Sequence, residues 1–177
     1  MTHHRRRNNG TDPSKINETV ELSPAQRYAA FKQTQAKQRT VAAEFARSMP
    51  FELDEFQMQA NDALEAGDNV LVAPPTGAGK TVAADFAIYL AQTRNVKAFY
   101  TTPIKALSNQ KYHDLVDQYG TDKVGLLTGD TSINSEADIV VMTTEVLRNM
   151  LYEHSVTLEA LRYVILDEVH YLADRFR

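Results

Sequence analysis

Between an apolar run, Val70-Leu71-Val72, and a helical pattern, Val82-Ala83-Ala84-Asp85-Phe86-Ala87-Ile88, the chain reads Ala73-Pro74-Pro75-Thr76-Gly77-Ala78-Gly79-Lys80-Thr81. Strand, glycine-bearing loop, then helix is the order that a phosphate-binding loop requires. Gly77 and Gly79 let the backbone around Thr76 and Ala78 turn tightly and come close to a ligand, because no Cβ intervenes. A helix starting near Lys80 aims its unpaired N–H groups and positive dipole end at the loop, which suits a polyphosphate. Lys80 adds a mobile charge for the β- and γ-phosphates, and the Thr81 hydroxyl can ligate Mg2+. One position departs from the strict pattern: Pro74 stands where glycine is wanted, six residues before the lysine. The alternative is a glycine-rich turn that joins strand to helix and binds nothing.

A length of 177 residues suits one domain, or one domain with a tail. With 43% hydrophobic residues the chain can bury a core. It has no run of about 18 apolar residues, so no membrane-spanning helix is expected. Arg5-Arg6-Arg7 is not followed by an apolar stretch, so the start does not read as a secretory signal. Cysteine is absent, which excludes disulfides and thiolate metal sites and agrees with a reducing cytoplasm, the expected location. Charge is uneven along the chain. Residues 1–47 hold nine Lys/Arg and four Asp/Glu, whereas residues 48–177 hold ten and nineteen. A basic arm on an acidic remainder hints at a polyanionic partner.

Residues 1–22 read as a disordered basic tail, since Asn8-Asn9-Gly10-Thr11-Asp12-Pro13-Ser14 is turn chemistry with nothing to bury. Ser23-Pro24 is an N-cap followed by proline at the first helical position, and it predicts one helix from Ala25 to Ser48. Residues 23–49 are therefore expected to be a helical extension. Asp54 caps a second predicted helix, Glu55 to Glu65, which Gly67 closes. Strands are predicted at 70–73, 96–100, 124–127, 138–142 and 163–166. The last, Tyr163-Val164-Ile165-Leu166, is expected to be buried on both faces. Helices at 80–92, from the loop after Pro103 to Tyr119, and at 145–152 alternate with the strands. This pattern predicts an α/β fold with a doubly wound parallel sheet.

Asp167-Glu168-Val169-His170 comes directly after the last apolar strand. In a parallel sheet the ligand site lies outside the carboxyl ends of the strands, so this motif and the Lys80 loop should share a rim. Asp167 can hold Mg2+ through water beside Thr81, and Glu168 can orient and deprotonate the water that attacks a γ-phosphate. Taken alone, two acidic residues after a strand are equally a solvated turn.

With both motifs in place, the chain resembles the first RecA-like domain of a superfamily-two helicase, of the DExH-box, superkiller-like RNA helicase group. Six segments carry the resemblance in the family's order: Phe51-Glu52-Leu53-Asp54-Glu55-Phe56-Gln57, the loop 73–81, Thr102-Pro103-Ile104-Lys105-Ala106-Leu107-Ser108-Asn109-Gln110, Thr128-Gly129-Asp130, Met142-Thr143-Thr144-Glu145-Val146-Leu147-Arg148, and Asp167-Glu168-Val169-His170. The resemblance implies a RecA-like parallel sheet flanked by helices, with residues 50–177 as the N-terminal part of that domain. It implies that the Gln57 amide reads adenine and that Phe51 packs on the base. An amide matches the adenine N6/N7 edge chemically. Pro103, Lys105, Ser108, Gln110, Thr128, Gly129, Thr143 and Thr144 are implied to track the phosphates of one nucleic-acid strand. His170 is implied to couple the ATP site to the rest of the engine. On local grounds Thr102-Pro103 is equally a helix-initiating turn, and Thr143-Thr144 equally an N-cap.

The family also implies a second RecA-like domain, bearing arginine fingers, and a Ser-Ala-Thr motif beyond residue 177. The chain is therefore expected to hold half of an ATPase site and not to unwind a duplex by itself. The expected ligands are ATP and Mg2+. The expected partner is single-stranded RNA, with 3'-5' translocation in the full-length protein. A DNA-directed relative and a non-catalytic nucleotide- and nucleic-acid-binding module stay open as alternatives. A P-loop kinase would leave Gln57 and the segment 103–110 without a role.

Overall fold

The computed structural model describes residues 23–37, 39–75 and 77–173. The basic tail expected at 1–22 lies outside the described residues, as does Thr76. The chain divides into two units, Met1–Arg39 and Thr40–Arg177.

In the first unit, helix α1 spans Pro24–Lys37. Ser23 and Gln26 cap its start reciprocally. The Ser23 N–H donates to Gln26 Oε1 at 2.8 Å, and the Gln26 N–H to Ser23 Oγ at 3.3 Å. Tyr28 and Phe31 are exposed on it. The single helix expected as far as Ser48 is two helices instead. α2, Val41–Ser48, has its own start. Thr40 takes an extended conformation, and its hydroxyl accepts the Ala43 N–H at 3.1 Å. The carboxylate of Glu65 accepts the Val41 and Ala42 N–H groups at 3.0 and 2.7 Å. That second cap comes from a residue more than 20 positions away, which local helix propensity cannot reveal.

The second unit continues with α3, Glu55–Ala66, which ends as expected at Gly67 with φ of 94°. Then come α4 (Thr81–Thr93), β1 (Lys97–Thr102), α5 (Lys105–Tyr119), β2 (Val124–Leu127), β3 (Ser132–Ile133), β4 (Ile139–Thr143), α6 (Thr144–Tyr152) and β5 (Leu161–Leu166). Short 3-10 turns occupy Val156–Leu158 and Val169–Ala173. The strand order is β3-β2-β4-β1-β5. β1, β2, β4 and β5 are parallel, and only the two-residue β3 runs antiparallel, against β2. Among the described residues this is a helix-flanked sheet of RecA type, mixed through β3.

Strand alternation sorts the core into two faces. Tyr100, Val124, Leu126, Ile139 and Val141 face α4 and α5, where Ile88 and Leu115 cover them. Phe99, Val140 and Met142 face α6, where Leu147 covers them. A third cluster joins α2 to α4 through Ala42, Phe45, Val82, Phe86 and Leu90, with the Phe45 and Phe86 rings 5.2 Å apart.

Two expectations about strands fail at one edge of this sheet. Residues 70–73 do not form a strand: β5 has β1 as its only hydrogen-bonded neighbour among the described residues, and Leu71 is 78% exposed. β5 is not buried on both faces either. Leu161, Tyr163 and Ile165 are half-buried, while Arg162, Val164 and Leu166 are exposed. An apolar run is buried on both faces only where helices cover both and strands flank it. Here α4 packs on one face of β5, while α6 covers Phe99 and leaves its neighbour Val164 46% exposed.

Candidate functional site

The loop before α4 has the backbone that its glycines predict. Gly77 and Gly79 sit at φ of 85° and 76°, where a Cβ would be strained. Lys80 is the N-cap of α4 and Thr81 its first residue. The Lys80 ammonium folds back and donates to the Pro74 carbonyl at 3.3 Å. A carbonyl is available at any residue type, so the departure from glycine at Pro74 leaves this contact intact.

Gln57 does something other than wait for a base. Its Oε1 accepts the Asp54 N–H at 2.9 Å, completing a capping box at the start of α3. Its Nε2 donates to the Gly79 carbonyl at 3.0 Å. A Cβ on Gly79 would lie 2.6 Å from that nitrogen. Gln57 is 4% exposed, so in this structure it clamps the phosphate loop to α3, and both amide atoms expected to read adenine hold chain partners. The Asp54-x-x-Gln57 spacing carried this signal. Phe51 is 52% exposed and free of the core, as a surface that stacks on a base needs to be.

Across the sheet, Asp167 continues the ladder beyond β5: its N–H donates to the Thr101 carbonyl at 2.9 Å. Both its carboxylate oxygens are held. Oδ1 accepts the Glu168 N–H at 2.9 Å, and Oδ2 accepts the Tyr100 hydroxyl at 2.8 Å. Burial first, then the charge of Asp167, drives the Tyr100 pKa far above the ordinary phenol value, so the hydroxyl stays a donor. Glu168 has a φ of 50°, a left-handed conformation uncommon outside glycine and frequent at functional turns. Its Oε2 lies 3.1 Å from Nδ1 of His170, whose ring packs on Tyr171. The residue expected to couple the site to its surroundings thus touches the expected general base.

The segments expected to track a nucleic-acid strand meet beyond β1, β2 and β4. Lys105 Nζ is 2.9 Å from Asp130 Oδ1, and Thr128 Oγ1 donates to the same oxygen at 2.9 Å. Gly129 lies under the Lys105 side chain. Thr144 Oγ1 donates to the Thr102 carbonyl at 3.2 Å, tying the end of β1 to the start of α6. Lys105, Gln110 and Gly129 are exposed, and Pro103, Thr128 and Thr144 half-buried. Ser108 and Thr143 are buried. The Ser108 and Thr102 hydroxyls share a hydrogen bond of 2.7 Å. In this structure the Ser108 hydroxyl is therefore turned away from solvent. It braces the loop from behind, because position 108 on α5 faces the sheet.

The expected place of Mg2+ is between Thr81 and Asp167. Among the described residues no group of three or more His, Cys, Asp or Glu converges. The donor set is one carboxylate and one hydroxyl, all oxygen. That fits Mg2+, which keeps several waters and is completed by substrate phosphates.

The family model described as DEAD/DEAH box helicase matches residues 54–177. The chain belongs to this helicase family. A probable helicase HelY of Mycobacterium tuberculosis is 61% identical over 133 residues, 75% of this chain and 15% of that protein. The antiviral helicase SKI2 of Saccharomyces cerevisiae is 51% identical over 132 residues, 75% of this chain and 10% of its own length. The ATP-dependent RNA helicase mtr4 of Schizosaccharomyces pombe is 47% identical, again over 75% of this chain and 12% of that protein. The chain therefore spans a small part of the length of these relatives. Among solved structures, a hypothetical ATP-dependent RNA helicase from Sulfolobus tokodaii superposes with a TM-score of 0.55 at 27% identity, over 75% of this chain and 42% of the other. The helicase MrfA, solved bound to DNA and AMPPNP, superposes with a TM-score of 0.59 at 28% identity, over 74% and 21%. The superkiller-like assignment read from the six segments agrees with these helicase relatives.

Proposed function

We propose that the chain is the ATP-binding part of an RNA-directed helicase of this family, which hydrolyses ATP to move 3'-5' along a single strand. The observation that supports the reading is that the helix opened by the glycine loop packs on β1 and β5, and that the acidic turn directly follows β5. The glycine loop opens α4, which runs back along β1. The Asp167-Glu168-His170 turn leaves β5, the neighbour of β1. A nucleoside triphosphate seated there would take its β- and γ-phosphates from the loop N–H groups and Lys80. Lys80 would exchange the Pro74 carbonyl for phosphate oxygens. Thr81 and, through water, Asp167 would hold Mg2+, which supplies charge neutralisation at the β- and γ-oxygens. Glu168 would accept the proton of the attacking water, with His170 steadying its carboxylate.

In this reading Gln57 reports nucleotide occupancy through Gly79, or releases the loop and pairs with adenine N6–H and N7. Phe51 stacks on the base in either case. Lys105, Gln110, Thr128, Gly129 and Thr144 face the strand, and Ser108 and Thr143 support them. RNA is favoured over DNA because the ATP-dependent RNA helicase mtr4 matches at 47% identity, whereas the relative solved with DNA matches at 28%. The test is ATP hydrolysis by the full-length protein, titrated with single-stranded RNA and with DNA of the same sequence. RNA should stimulate more. Stronger stimulation by DNA replaces RNA with DNA in the proposal, and no hydrolysis with either leaves a non-catalytic binding module.

A further inference from the structure

We propose that Tyr100 and Lys111 position Asp167, Tyr100 by touching its carboxylate and Lys111 by acting through the Tyr100 ring. The inference rests on the role given to Asp167 under Proposed function. Neither residue belongs to the six segments that the resemblance used.

Tyr100 lies in the centre of β1, paired with Val141 on one side and Ile165 on the other. It is 2% exposed, and its ring packs with Ile88, Leu115 and Val141. Phenylalanine would satisfy that apolar setting equally well. What the hydroxyl adds is one bond, to Asp167 Oδ2 at 2.8 Å. The other bond to that carboxylate comes from the backbone N–H of the adjacent residue, Glu168, and reaches Oδ1. A carboxylate held at one oxygen by its own neighbour can still rotate about its side-chain torsions. A second donor fixed in a buried strand removes that freedom. Two bonds out of about four lone-pair sites leave room for metal-bound water.

Lys111 is placed to hold Tyr100 in turn. Its Nζ stands 4.9 Å from the centre of the Tyr100 ring and 2.9 Å from Asp85 Oδ1. Its side chain is only 14% exposed, so the ammonium is fixed between α4 and the sheet. Asp85 is four residues, about one turn, after Thr81 on α4. Lys111 sits two turns into α5, the helix that Lys105 opens on the nucleic-acid side. One continuous set of contacts thus joins the helix of the phosphate loop, the helix of the nucleic-acid rim and the metal-facing carboxylate. The acidic groups facing Lys111 and Tyr100 from neighbouring elements are Asp85, Asp167 and Glu168.

The test compares the full-length protein with Tyr100→Phe, Lys111→Met, Lys111→Arg and the double variant Tyr100→Phe/Lys111→Met. The probe is Mn2+ binding in the presence of ADP, read by electron paramagnetic resonance. It is paired with ADP binding in EDTA and with the Mg2+ concentration that half-saturates ATP hydrolysis. Removing a partner of a metal-binding group typically weakens metal affinity about 10–100-fold. Tyr100→Phe should weaken Mn2+ by about 10-fold and raise the Mg2+ requirement alike, with ADP binding in EDTA unchanged. A merely structural role would move ADP binding in EDTA as well, and that result overturns the proposal. Lys111→Met should shift metal binding the same way by less, and Lys111→Arg should restore it. The double variant should be no worse than Tyr100→Phe, since Lys111 acts through that ring. Multiplied losses contradict the link. A parent that binds Mn2+ with ADP, beside a Tyr100→Phe variant that binds it equally, overturns this inference alone. A parent that binds no Mn2+ with ADP overturns the functional reading and this inference with it.

Discussion

β1 and β5 are neighbours of equal length, and β5 is the more apolar in sequence, yet β1 is the strand that is buried. β1 is hydrogen-bonded on both sides, and five of its six residues are buried. β5 is bonded on one side and alternates between half-buried and exposed. Each ends in a candidate functional segment: Pro103 to Gln110 after β1, Asp167 to His170 after β5. The difference teaches that position in the sheet, rather than composition, sets how firmly a strand anchors the segment at its carboxyl end. The segment after β1 is pinned by its own buried strand and by Thr102, Ser108 and Thr144. The segment after β5 takes its support from β1, through the Thr101 carbonyl and the Tyr100 hydroxyl.

The largest effect that sharpens this contrast is a truncation in each strand at one level of one face. Phe99 and Val164 are register partners. Phe99→Ala empties a fully buried ring site and should cost about 3–5 kcal/mol in urea unfolding. Val164→Ala removes methyl groups that already see water and should cost less than about 1 kcal/mol. Equal costs would break the comparison. Next in size is hydrogen exchange. Amides of 97–102 should exchange far more slowly than those of 161–166, because an edge strand frays without a second neighbour. The reverse order would mean that β5 gains a partner in solution.

The smallest effect lies beyond the strands, at the rim. The Lys105 ammonium, then the Thr128 hydroxyl, holds the Asp130 carboxyl below its ordinary value of 3.8. A carboxyl depressed in the folded state stabilises above its unfolded pKa, and that contribution is lost as pH falls through the folded pKa. The window therefore lies at and below ordinary carboxylate values, and the pair is intact at neutral pH. Lys105→Met should return the Asp130 titration, monitored by NMR, towards 3.8. An unchanged curve would remove Lys105 from that pair.

Much of this architecture is legible in the residues. The alternation of apolar strands with helical stretches gives the parallel sheet, and Gly77, Gly79 and Gly67 stand where positive φ is required. The six segments supply the residues of the candidate site. What escapes a linear reading is set by contacts between distant residues. Thr40 starts a new helix partly because Glu65 caps it. The run 70–73 has strand composition, but a strand also needs a neighbour. Ser108 and Gln57 have residue types that suit ligands, and the fold turns both inward. Tyr100 and Lys111 read as an ordinary strand tyrosine and helix lysine until β1 and α5 are packed together.

The phosphate loop is the centre of the proposed function. The most direct measurement is the affinity of the full-length protein for a fluorescent ADP in Mg2+, with and without Lys80→Ala. Removing the ammonium from the phosphates should abolish measurable binding, while the unfolding transition stays where it was, since Lys80 is exposed. Binding of equal strength by the folded Lys80→Ala variant would contradict the placement of the nucleotide at residues 77–81.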